Sequence, residues 1–456
     1  MKSVNRAGKS GSEYQTTPLN SIERVFMLGD RLYGAAVLHI AGCYRFPGAA
    51  PTLTEFREKL QPRLADEPIL CSVESETRPR CWEQRSTVVL AEHVREWRCP
   101  AGTGLSLAAE QIMATPLSRN RPLWEIWLVH GTSIDGWYAI LKAHHAFLDG
   151  ASLITLAERL LPPVPVPPPA SPVVELPTPV GPTAQMALAK GIIRYAGRFL
   201  PPARFAFTRP PRNGKRRFAW AFVSRELVHD AARHHGVTVN DIFLAALATA
   251  LREWTGTPWR NGRPRRVWTL VPVDLRRREG GKLIGNKVTN IRVPLPCDDP
   301  DPIRRLRVIA AHTHSAESCD QIAIGGAAQR SIPVWLVGLA AAMTFSRWHI
   351  SMTSSNVRGS DQPTRFDGRP SSDPIALGLL PPRHPLGAFL VNNHDQIGIS
   401  IVTDAAAPYG QGLADLWIRA VTGLGELRAV EERPVAGCSI DRTERIAAAV
   451  PALDKE

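Results

Sequence analysis

The stretch LPPVPVPPPASPVVELPTPVGP, residues 161–182, limits the folding of this chain more than any other. Proline lacks the amide hydrogen that helix and sheet need and fixes its own φ. A segment this rich in it favours a stiff, extended spacer. It separates an N-terminal half, residues 1–160, from a C-terminal half, residues 183–456. A 456-residue chain exceeds one comfortable core, and domains of roughly 150–250 residues are expected. Two domains joined by the proline segment satisfy both constraints.

Each half interleaves helical and strand patterns. TEFREKLQPRLA (54–65) puts Phe56, Leu60 and Leu64 on one helical face, and VTVNDIFLAALATALREW (237–254) reads as a strong amphipathic helix with Asn240 as its N-cap. WEIWLVHG (124–131) and WYAILKAHH (137–145) read as strands joined by a polar turn, with a helix following in 151–161. Strand patterns recur at 265–276, 286–296, 351–359 and 387–404. The class expected is α/β, as two layered domains.

The formal charge of +13 points to an anionic partner: a phospholipid surface or a phosphate-bearing molecule. Nucleic acid is not expected, because no reader motif is present. The segment 186–218 mixes apolar residues with Lys190, Arg194, Arg198, Arg204 and the run Lys215–Arg217, which suits either an anionic interface or a solvated basic helix face. Seven cysteines without a CxxC pair fit a reducing cytoplasm, and no metal site is expected; the cluster HTH (312–314) with Cys319 lacks a second half. The doublet in HHG (234–236) reads as surface. The near-apolar run 332–345 is about 21 Å of helix, short of a bilayer core. It reads as a buried or interfacial helix, so membrane contact would be peripheral.

The stretch HHAFLDG (144–150) carries the chemistry. Alternate strand residues point to opposite faces, so His144 and His145 are expected to part, one working in a cleft and the other packing behind it. Imidazole is the natural base for taking a proton from an alcohol near neutral pH. Gly150 leaves room for a close approach. Asp149 is placed either to orient His145 or to pair with a basic residue elsewhere.

HHAFLDG matches the HHxxxDG signature of the CoA-dependent acyltransferase superfamily. PLSRNRPLWEIWLV (116–129), TVNDIFLAAL (238–247) and VPVDLR followed by Gly285-Asn286 resemble segments of bacterial wax ester synthase/diacylglycerol acyltransferases, in the same order. The resemblance implies two chloramphenicol-acetyltransferase-like domains around a central tunnel. It implies transfer of a fatty acyl group from acyl-CoA to a long-chain alcohol or diacylglycerol, with His145 as base, no acyl-enzyme and no further cofactor. By the same resemblance Asp149 pairs with Arg276, and His144 and Gly150 support the site. Ser354, Ser355 and Asn356 stand near the channel as oxyanion candidates; Trp124 is a further channel candidate with core packing as its default, and Asn240 and Asp241 are candidates for the channel or, equally, for capping their helix. A cytoplasmic protein resting on a membrane or lipid droplet is implied. Alternatives are a non-lipid alcohol or amine acceptor, or a weakly active lipid-binding protein. Two departures bear on acceptor choice: Asn356-Val357-Arg358-Gly359-Ser360 stands where the family has NVPGP, and Leu19-Asn20-Ser21-Ile22 where it has SPxD.

Overall fold

A computed structural model describes residues 16–427 except 35, 79, 133, 162–214, 256–266, 277–283, 319–321 and 323–336. The proline segment beyond Leu161, the cations Lys190 to Arg204 and Cys319 fall outside the described residues.

The main elements before the proline segment are α1 (Ser21–Tyr33), β1 (His39–Phe46), α2 (Leu53–Ala65), β2 (Val94–Arg98), α3 (Leu105–Ala114), β3 (Trp124–His130), β4 (Trp137–His144) and α4 (Gly150–Leu160). After it come β5 (Arg216–Ser224), α5 (Arg225–His235), α6 (Val239–Trp254), β6 (Val267–Asp274), β7 (Val288–Leu295) and α7 (Pro302–Ser318). The chain continues with α8 (Val337–Thr344), β8 (Met352–Arg358), β9 (Ser372–Leu377), β10 (Leu386–Asn392), β11 (Gln396–Asp404) and α9 (Gln411–Glu426).

Local chemistry sets several boundaries. Asn20 and Glu23 form a reciprocal capping box that starts α1, and Thr52 with Glu55 does the same for α2. Phe56, Leu60 and Leu64 are buried along α2, as their spacing predicts. The cap of α6 is Thr238 rather than Asn240: its hydroxyl accepts from the Asp241 amide, and Asp241 accepts from the Thr238 amide. Asn240 lies inside the first turn, past the position where a side chain can reach the free amides. His234 is exposed near the end of α5, and Gly236 closes that helix in the left-handed region at φ 63°.

Two sheets form the body. One has the order β9-β1-β4-β3-β2 and the other β7-β6-β8-β10-β11-β5. The expected division at the proline segment is therefore crossed. Strand β9 comes from the C-terminal half but pairs antiparallel with β1, Ile375 opposite Cys43 and Leu377 opposite Ala41. Helices α6 and α9 bury Phe243, Leu247 and Trp417 against one face of the six-stranded sheet. Ile140 and Cys43 of the five-stranded sheet share a third apolar cluster with Phe218, Phe389 and Val402 of the other.

Arg216 ties the sheets together. Its place in a Lys-Arg-Arg run suggests a solvated cation, yet it is buried and donates to the carbonyls of Ala36, His39, Met113 and Gly378. Those carbonyls come from four separate segments near the ends of elements, and the guanidinium fork reaches all four. Arg216→Met is expected to cost about 2–3 kcal/mol through the acceptors left unpaired, read as a lower urea midpoint.

Candidate active site

Strand β4 ends at His144, whose carbonyl accepts from the amides of Phe147 and Leu148, so the chain turns at once and His145 stands in the turn. The two rings do part, but not onto opposite faces of a sheet. Both meet α1, one helical turn apart. His145 stacks on Phe26 at 4.3 Å between centroids, while His144 sets Nε2 3.0 Å from Asp30 Oδ1. His144 Nδ1 accepts from the Ala146 amide at 3.0 Å, while Nε2 faces the Asp30 carboxylate without a formed hydrogen bond. Arg119 holds Asp30 at 3.1 Å and Glu74 at 3.1 Å, so a half-buried ion-pair chain stands behind the first histidine.

Asp149 is wholly buried and its carboxylate is saturated. Arg276 donates one nitrogen to both oxygens, at 3.0 and 2.8 Å; the Ser152 amide donates at 2.8 Å and the Lys287 amide at 2.9 Å. It is also the N-cap of α4. Its hydrogen-bonding capacity is therefore directed away from His145. The same arginine nitrogen reaches Ser152 Oγ and the Gly285 carbonyl, each at 2.6 Å. The Asn286 side chain donates to the His145 carbonyl, and the His145 amide donates to the Leu38 carbonyl at 2.9 Å. The backbone of the second histidine is thus gripped on both sides.

The imidazole of His145 lines a cavity of about 860 Å³ between the two sheets, at the upper end of the range for small-molecule sites. Its walls are mainly apolar, with Ile40, Leu153, Leu270, Ile375 and Phe389 among them. Thr353, Ser354, Ser355 and Asn356 of β8 add polar groups. Ser354 Oγ is committed to Thr269 at 2.8 Å, whereas Thr353 Oγ1 is buried with no hydrogen-bond partner. Gly150 also lines the cavity; a Cβ there would meet Val357 at 3.0 Å, so glycine lets α4 approach β8. Charged residues around the cavity include Glu158, Asp274 and Arg358. Burial pushes the His145 pKa down to about 4, against weaker upward pulls from its own backbone carbonyl and Asp149. The ring is neutral at pH 7.

The family model of the wax ester synthase/diacylglycerol acyltransferase catalytic domain matches residues 34–201, and that of the WS/DGAT C-terminal domain matches residues 284–423. The chain belongs to this family. It is 28% identical over 366 residues to a putative diacylglycerol O-acyltransferase of Mycobacterium tuberculosis, covering 71% of this chain and 76% of that one. To the probable diacylglycerol O-acyltransferase tgs2 of the same organism it is 27% identical over 415 residues, covering 80% and 89%. The solved wax ester synthase/diacylglycerol acyltransferase of Marinobacter aquaeolei VT8 superposes with a TM-score of 0.63 at 20% identity, covering 90% of this chain and 98% of that one. The first condensation domain of the CDA synthetase gives 0.61 at 17% identity, covering 91% and 97%. These likenesses show the fold, the two-domain chloramphenicol-acetyltransferase-like arrangement. The protein is an acyltransferase.

Not every expected residue reaches the cavity of this acyltransferase. Trp124 is fully buried in the N-terminal core and donates its indole hydrogen to the Leu70 carbonyl at 2.9 Å. Its size and position on β3 make it core rather than channel. Asp241 is engaged by the α6 cap and by Thr313 Oγ1 at 2.7 Å. Neither Asn240 nor Asp241 lines the cavity, because α6 packs behind the six-stranded sheet. Among the described residues no cluster of metal-ligating side chains is present, and no helix is long and apolar enough to cross a membrane.

The altered Val-Arg-Gly turn is held without its prolines. The Gly359 amide donates to the Asn392 carbonyl at 2.7 Å, and Arg358 pairs with Asp361 at 2.7 Å. Phe26, Asp30 and Phe345 are site residues that motif reading did not find. The amphipathic spacing of α1 signals a buried face, but nothing local says that a histidine lies over it.

Proposed function

We propose that this acyltransferase moves a fatty acyl group from acyl-CoA to the hydroxyl of a long-chain alcohol or diacylglycerol, with His145 as general base. The observation that carries the reading is a neutral imidazole in the wall of a large, mainly apolar cavity, beside the polar strand 353–356. His145 takes the hydroxyl proton as the oxygen attacks the thioester carbonyl. The tetrahedral intermediate is stabilised by donors on β8, with the Thr353 hydroxyl and the Ser355 and Asn356 groups as the source. Collapse breaks the carbon–sulfur bond, and the proton returns from His145 to the CoA thiolate. The names of the mycobacterial relatives support an alcohol acceptor of the diacylglycerol type. The apolar walls suit a hydrocarbon chain, and the basic overall charge suits CoA phosphates and an anionic lipid surface.

Release of free thiol from palmitoyl-CoA should depend on added hexadecanol or diacylglycerol. Acceptor-independent hydrolysis alone, or transfer restricted to amines, would overturn the reading.

The pH profile gives a second check. A base that must be neutral loses activity as pH falls through its own pKa. For His145 that value is about 4 rather than the ordinary 6.5 of histidine. The acidic limb of kcat/KM is therefore expected near pH 4, with no inflection near 6.5. Circular dichroism at each pH separates loss of activity from loss of fold.

A further inference from the structure

A second, smaller groove lies between α1 and the segments at Phe345, just beyond the end of α8, and at Pro381. Leu28, Leu32, Tyr33, Leu38 and Pro382 form part of its lining, and the described residues lining it carry no charged side chain. It shares Val25, Phe26, Phe345 and Leu379 with the wall of the reaction cavity. Phe26 and Phe345 stand 6.4 Å apart between centroids, and Phe26 is the ring on which His145 stacks. The free volume of the groove is about 20 Å³, room for roughly one water. Passage of anything larger requires one of the two phenylalanines to turn.

The outer end of this groove is unusually apolar for a surface. Leu32 is 59% exposed and Tyr33 41%, both at the end of α1. Leu339 (57%) and Met343 (44%) lie on α8, which packs on α1, and Trp348 (55%) follows that helix. Four of the nine large hydrophobic side chains exposed among the described residues thus lie on these two packed helices. Such concentration marks an interaction site rather than ordinary surface. Elsewhere the cavity wall carries Thr155, Glu158, Asp274 and Arg358. That charged stretch is an unsuitable path for a hydrocarbon chain. The uncharged groove suits an alcohol that arrives dissolved in lipid.

We infer that the α1–α8 corner is the entry for the lipid acceptor, which passes from a membrane or lipid surface past Phe26 and Phe345 to His145. This rests on the acyl transfer to a lipid alcohol proposed above. The hydrocarbon chain never crosses water, and the ring that packs on the base is also half of the gate.

The test is the double variant Leu339→Glu/Met343→Glu, with Leu32→Glu as an independent variant on the other helix. All three positions are exposed, so the core is untouched. One acyl-CoA donor is used with two acceptors: hexadecanol presented in phosphatidylcholine vesicles, and butan-1-ol in solution. Each variant should lose about tenfold or more on the vesicle-borne alcohol, the equivalent of one or more apolar anchors, and stay within about twofold on butanol. Vesicle co-sedimentation should weaken in parallel. Unchanged turnover of vesicle-borne hexadecanol, or an equal loss on both alcohols, would overturn the inference. Wild type that acylates neither alcohol overturns the function proposed above instead, so the two failures are distinguishable.

Discussion

His145→Ala is expected to lower turnover by at least about 10²–10⁴-fold, the usual contribution of a positioned general base, in a protein that unfolds at nearly the wild-type midpoint. The fold should tolerate the change because what holds this position is backbone. Its amide donates to Leu38 and its carbonyl accepts from Asn286, and neither bond involves the imidazole. The ring contributes a stack on Phe26 and a buried Nδ1 without a partner, so its removal trades a modest packing loss for relief of an unsatisfied group. Single-turnover acyl transfer and a urea titration on the same preparation check both halves. Wild-type turnover in this variant would end the general-base assignment.

Asp149→Asn should behave in the opposite manner, with the larger loss in stability. The buried carboxylate accepts from Arg276, Ser152 and Lys287, all donors. An asparagine presents one acceptor and one amide, and that amide must face a donor. A buried pair broken on one side costs about 3–5 kcal/mol because the other charge is left uncompensated. Arg276 keeps Asp274 at 3.0 Å, but that partner is exposed and offsets little. The expected result is a fall of that size in unfolding free energy, with reduced soluble yield. Asp149→Asn/Arg276→Met should recover part of the loss, since the stranded guanidinium is then gone. A single variant that unfolds at the wild-type midpoint yet does not turn over would mean that Asp149 acts on the reaction directly.

How far the sequence predicts this arrangement depends on how local each signal is. The β4 strand, the turn after it and α4 follow from apolar spacing and from Asp149-Gly150 at the helix mouth, features read within about 25 residues. The pairing of Asp149 with Arg276 spans 127 positions, and no periodicity announces it; only the family resemblance suggests it. Phe26 and Asp30 reach the histidines from 119 and 114 positions away, because tertiary packing lays α1 across the end of β4. Arg216 misleads because composition treats a run of cations as solvated, whereas its burial is decided by four carbonyls on distant segments. Trp124, beside a recognisable motif, is taken by the core for its volume. The pattern at 372–377 belongs by sequence to the C-terminal half and by hydrogen bonding to the N-terminal sheet, a choice made by an open strand edge.

That borrowed strand has a mechanical meaning. Enzymes that enclose their substrates often swing two lobes like a jaw, but here the jaw is stitched. Opening it would tear β9 from β1 along Ile375, Ala376 and Leu377 and pull Arg216 from its four carbonyls. If the proposed lipid substrates are the ones used, their chains are expected to be threaded in and drawn out lengthwise, as a needle carries yarn through cloth that stays sewn. Under the proposed function, product departure is then expected to be a sliding problem, with release slowing as methylenes are added to the chain.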